Sequence, residues 1–171
     1  QEAEEKTKNF PHRHKIELHL IGHLQSNKVR KAIELFDVVQ TIDSIKLAKR
    51  INVICAETGI KQRIFIQVNT GNDPAKQGFS INNATDAIWE ISEMKHLICE
   101  GIMTIPPLEL PDKQLLDIYR KTRKIRDIVK KSINNNCKYL SMGMSNDFET
   151  AITEGATHIR LGTALFGERP Q

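Results

Sequence analysis

Aromatic residues are scarce in this chain: they make up 5% of its 171 residues, with one Trp and two Tyr. Cysteine is scarcer still, with Cys55, Cys99 and Cys137 odd in number and widely spaced. That pattern tells against a disulfide framework or a zinc site and fits reduced, buried thiols. No apolar run approaches the roughly 20 residues needed to span a bilayer, and the opening "QEAEEKTKNF" has no apolar signal-peptide core. A cytoplasmic protein with no membrane partner is expected. Low-complexity segments and linkers are missing too, so residues 1–171 are expected to form a single domain.

Charge of one sign is also lacking, since 25 basic residues face 21 acidic ones for a net +4. The one basic cluster comprises Arg120, Lys121, Arg123, Lys124, Arg126, Lys130 and Lys131. It has no interleaved aromatics, and it shares a helical pattern with Leu115, Ile118, Thr122, Ile125 and Val129. A solvated helix face accounts for it, and no specific nucleic-acid partner is expected.

What the chain does have is a repeating alternation of short apolar runs, turn residues and helical stretches. The runs are "IELHLIG" (16–22), "DVVQTI" (37–42), "IFIQVN" (64–69), "ICEGIMTI" (98–105), "YLSMG" (139–143) and "HIRLG" (158–162). Rich in β-branched residues and nearly continuous, they read as strands buried on both faces. Helix starts are legible between them: Ser44 as a cap with Gly59 behind, Asn82 or Asn83, Pro111 in a first turn, and Ser145 as a cap with Gly155 behind. Asp147 and Glu149 then fall in a first helical turn, where a carboxylate is favourable in any case.

Six strand–helix repeats imply a parallel sheet with right-handed crossovers. An open doubly wound sheet that binds a dinucleotide should carry a glycine fingerprint after its first strand, and "GHLQSNK" is not one. A (β/α)8 barrel explains the two small-residue turns late in the chain, "SMGMS" and "LGTA", because barrels often hold a phosphate with their last two loops. A barrel needs eight strands, and the pattern supplies six.

Five segments in order, "HLIGHLQSNKVRKAI" (19–33), "IQVNTGNDPAKQGF" (66–79), "GIMTIPP" (101–107), "LSMGMSNDFETAI" (140–152) and "IRLGTALFGER" (159–169), closely resemble the pyridoxal phosphate homeostasis protein family. The resemblance covers nearly the whole chain and implies a (β/α)8 TIM barrel of the alanine racemase N-terminal type. It also implies that the barrel binds pyridoxal 5′-phosphate (PLP) and acts as a non-catalytic carrier or buffer in PLP homeostasis. On it, "SMGMS" follows the seventh strand and "LGTA" the eighth. The backbone of Ser141, Met142, Gly143, Ser145, Gly162 and Thr163, with the hydroxyls of Ser141 and Thr163, is expected to surround the phosphate. Glycine there lets the backbone approach an anion, and the following helix N-termini add a favourable dipole.

The same resemblance places Arg160 beside the ring nitrogen, where a permanent cation keeps that nitrogen unprotonated and makes PLP a poorer electron sink. Asn69 and Met103 fall at or near strand ends where barrel pockets are lined, which makes Asn69 a candidate cofactor contact, with core or loop packing an equal alternative for both. His19 and His23 are expected to be structural, since no positioned partner makes either catalytic. Ser141 and Ser145 have no nearby His–Asp arrangement and are not read as nucleophiles.

The chain departs from the family at its start. The family's first two strands and its Schiff-base lysine have no counterpart here, and Lys76 matches a different loop. A truncated record of a longer protein is expected, with exposed strand edges through which copies could associate, although the intact family fold is a monomer. Besides the carrier, two readings stay open: an amino-acid racemase-like PLP enzyme, and a barrel fragment without specific function.

Overall fold

The computed structural model describes residues 2–8 and 10–168. All six expected strands form: β1 (His19–Leu20), β2 (Val38–Ile42), β3 (Gln62–Gln67), β4 (Leu97–Met103), β5 (Tyr139–Met144) and β6 (His158–Arg160). They pair in sequence order, and every pairing is parallel. Each connection runs through a helix, as parallel neighbours require. Ahead of β1 lies α1 (Glu2–Lys8), and then come α2 (Val29–Leu35), α3 (Ile45–Thr58), α4 (Ile81–Ser92), α5 (Asp112–Ser132), α6 (Phe148–Thr153) and α7 (Thr163–Phe166). No helix among the described residues is long and apolar enough to cross a membrane.

Alternation along the strands gives the sheet two different faces. Val39, Ile64, Ile66, Ile102, Leu140 and Met142 join the main core, packing with helix residues such as Ile51, Ile54, Ile88, Ile91, Tyr119 and Val129. Val38, Phe65 and Met103 point the other way and form a second, smaller cluster with Ile105. This inner face is curled enough for opposite strands to touch. The rings of His19 on β1 and His158 on β6 lie 5.6 Å apart, and Gln40 on β2 bonds Ser141 on β5. The sheet is therefore a six-stranded half-barrel with a polar and aromatic interior.

Helix boundaries follow the sequence with three corrections. Ser44 does cap α3, its Oγ accepting from the Leu47 N–H, and Gly59 ends that helix. α4 starts at Ile81 behind Ser80, ahead of Asn82 and Asn83. Pro111 stands at the cap position of α5, just outside the first turn. Ser145 does not cap α6, whose cap position is Asp147, because the Ser145 hydroxyl is drawn to the other turn. Along α5 the buried face is Leu115, Ile118, Tyr119, Thr122, Ile125 and Val129, and Arg120 and Arg123 both pair with the buried Glu154. The three cysteines are buried and free, and no group of metal-ligating side chains occurs among the described residues.

Candidate functional site

Where β5 and β6 end, two turns face each other across a cleft. β5 carries a register irregularity between Ser141 and Met144, and Gly143 inside it has φ +97°. Asp147 stabilises this turn, its carboxylate accepting from the Met144 N–H at 2.5 Å. Ser145 then reaches across to the second turn. Its Oγ accepts from the N–H of Gly162 at 3.1 Å and of Ala164 at 3.3 Å. Two backbone donors thus already converge on one oxygen, as an anion would require. α6 and α7 are too short, at six and four residues, for a helix dipole to add much.

The cleft has a volume of about 970 Å³. Met144, Ser145, Asp147, Arg160, Gly162 and Thr163 line it together with His19, Gln40 and His158 and with the apolar Ile105, Leu108, Leu110 and Leu115. Burial pulls the Arg160 guanidinium below its ordinary value, and Tyr119 and Asp147 offset part of that. An arginine starts so far above neutrality that it stays cationic. Its Nη1 donates to Ser141 Oγ and its Nη2 to the Thr104 carbonyl, both at 2.8 Å. Burial likewise lowers His158, with the neighbouring His19 acting in the same direction. It raises the Tyr119 phenol, whose buried hydroxyl lies close to the Asp147 carboxylate, which acts in the same direction.

The expected site residues divide into two groups. Ser145, Arg160, Gly162 and Thr163 come together on the cleft. Ser141, Met142 and Gly143 are buried and do not line it. The Ser141 hydroxyl is committed between Gln40 and Arg160, and the Met142 side chain belongs to the main core. Gly143 is glycine for a packing reason: a Cβ there would sit 2.7 Å from the Ala151 Cβ and 3.1 Å from the Phe148 Cα. At Gly162 a Cβ would meet nothing within 4 Å, so this glycine faces open space.

Asn69 is placed away from the cleft lining, where its amide donates to the Asp73 and Lys76 carbonyls and its Oδ1 accepts from the Asp73 N–H. It holds its own loop. Met103 sits in the inner apolar cluster. Arg169, at the end of "IRLGTALFGER", lies outside the described residues. Gln40 was not legible as a site residue, because one polar residue in "DVVQTI" reads as ordinary strand alternation.

The family described as "Alanine racemase, N-terminal domain" matches residues 1–170. A "Pyridoxal phosphate homeostasis protein" of Aquifex aeolicus is 39% identical over 155 residues, which are 90% of this chain and 68% of that protein. The chain thus spans about two thirds of that relative's length. Among solved structures, PipY of Synechococcus elongatus with PLP bound superposes with a TM-score of 0.85 at 33% identity, covering 96% of this chain and 75% of PipY. An alanine racemase of Clostridium difficile shares the fold at a TM-score of 0.74 and 18% identity, over 91% of this chain and 41% of its own. By matched length and identity, the chain belongs to the alanine racemase N-terminal domain family and, within it, to the pyridoxal phosphate homeostasis proteins.

Proposed function

We propose that this chain binds PLP in the cleft between the β5 and β6 turns and serves intracellular PLP homeostasis as a non-catalytic carrier. The observation that carries the reading is the convergence of the Gly162 and Ala164 N–H groups on Ser145 Oγ beside a fixed arginine. That donor set fits a phosphate monoester: two backbone N–H groups, the hydroxyls of Ser145 and Thr163, and no carboxylate bonded to the same N–H pair. Ser145, Gly162 and Thr163 would hold the phosphate, with the backbone of Met142 and Gly143 behind them, and Arg160 would face the ring nitrogen. When bound, PLP supplies an electrophilic aldehyde and an electron-withdrawing ring. Beside a permanent cation that ring draws electrons weakly, which suits storage and delivery better than turnover. Ser141 contributes by holding Arg160, and Asn69 by shaping the adjoining loop.

The same reading takes residues 1–171 as one PLP-binding unit whose strands correspond to strands three to eight of an eight-stranded barrel. The curled inner face supports it, as do the single-sided pairings of β1 and β6.

Equilibrium dialysis against PLP and against pyridoxal tests this function. Charge-assisted hydrogen bonds contribute roughly 1.5–3 kcal/mol each, so PLP should bind at least about tenfold more tightly than pyridoxal. Inorganic phosphate should compete with it. Equal affinity for the two compounds would show that the turns do not read the phosphate.

A further inference from the structure

A chain of hydrogen bonds crosses the interior of the half-barrel, joining Arg160, Gln40 and His19 of the cleft lining to Glu17 and Arg63. Arg160 Nη1 donates to Ser141 Oγ at 2.8 Å, and Ser141 Oγ bonds Gln40 Oε1 at 2.6 Å. Gln40 Nε2 meets His19 Nδ1 at 2.7 Å, and His19 Nε2 meets Glu17 Oε2 at 3.1 Å. Arg63 closes the far end by bonding both Glu17 and Glu100. The central members are shielded from water, with Gln40 at 3% exposure and Ser141 at 0%.

Both ends of this chain have only one possible polarity. A guanidinium donates and never accepts, so Ser141 Oγ must accept from Arg160 and spend its single proton on Gln40 Oε1. At the far end Arg63, and then His19, holds the Glu17 carboxyl below its ordinary range, so Glu17 accepts. Gln40 therefore presents its amide N–H to His19. Rotating that amide by 180° would put two donors on Ser141 and leave the serine proton without an acceptor in a buried site.

From this we infer that Gln40 is a positioning residue: acting through Ser141 it holds Arg160 toward the cleft, and it fixes His19 with its proton on Nε2. The guanidinium is braced on two sides, by Ser141 and by the Thr104 carbonyl, which leaves its remaining N–H groups for the cleft. The His19 tautomer follows from the fold alone, whereas the effect on bound cofactor rests on the PLP-binding reading above.

The test starts with 15N NMR of the histidine-labelled protein without ligand, His19 being assigned by its loss in His19→Gln. The expected wild-type spectrum has a protonated Nε2 and an unprotonated, accepting Nδ1. A protonated Nδ1, or a mixture of the two tautomers, overturns the inference. Gln40→Glu replaces the donor by an acceptor of the same length and should draw a proton onto Nδ1. An unchanged His19 signal in that variant also overturns it, because a merely space-filling Gln40 would behave so. With PLP added, Gln40→Leu should move the absorption band of bound cofactor relative to wild type at the same pH. If the tautomer results hold and the band stays put, Gln40 does not act on Arg160 and the positioning role is wrong. If wild type binds no PLP, the function proposed above fails while both ligand-free measurements still decide the state of His19.

Discussion

Gly143→Val is expected to lower the unfolding free energy by about 2–6 kcal/mol, measured as a fall in the urea midpoint. Two separate costs add at this position. A β-branched residue at φ +97° is a backbone outlier costing roughly 1–3 kcal/mol. The new Cβ would also stand 2.7 Å from Ala151 Cβ and 3.1 Å from the Phe148 backbone, so α6 must lift off β5. Overpacking of that kind typically costs about 1–3 kcal/mol more. Against a total stability of about 5–15 kcal/mol for a domain, the loss is large. A change below about 1 kcal/mol would mean that α6 relaxes freely and that the tight β5–α6 contact does not define the turn.

Gly162→Val should do the opposite, lowering the unfolding free energy by no more than about 1 kcal/mol while removing at least tenfold in PLP affinity. The backbone here has φ −111° and ψ −84°, free of the positive φ that strains Gly143, and a Cβ meets nothing within 4 Å. The open space it enters adjoins the cleft that Gly162 lines, where its own N–H and that of Ala164 converge. A branched side chain at the mouth of that donor pair keeps an anion away from it, and each tenfold in affinity corresponds to about 1.4 kcal/mol. Dialysis with PLP, paired with a urea titration, reads both quantities. Unaltered affinity would remove Gly162 from the binding site. Two glycines in neighbouring turns thus have separable purposes, one for packing and one for access.

The strands were legible because their near-continuous β-branched runs are what a sheet buried on both faces demands. β1 shrank from a seven-residue run to His19–Leu20 because it pairs on one side only, so its ends have no partner to hold them extended. Arg160, Gly162 and Thr163 were legible through their motif, and the cleft gathers them. A serine ahead of a helix is the usual cap, but the Ser145 oxygen is taken by a turn 17 residues away, a partner that local sequence does not reveal. Gln40 and the commitment of Ser141 could not be read at all. Their bond joins residues 101 positions apart across the half-barrel interior, and no local pattern encodes such a pairing. For the same reason the two glycines looked alike in sequence, although only their surroundings distinguish them.

The most direct measurement is a crystal structure of this chain grown with PLP. It should show the phosphate accepting hydrogen bonds from the N–H groups of Gly162 and Ala164, with the Ser145 hydroxyl turned onto it and the Arg160 guanidinium at the ring nitrogen. PLP located elsewhere, or a cleft in which Ser145 Oγ keeps both N–H groups while PLP saturates the protein in solution, would contradict the assignment.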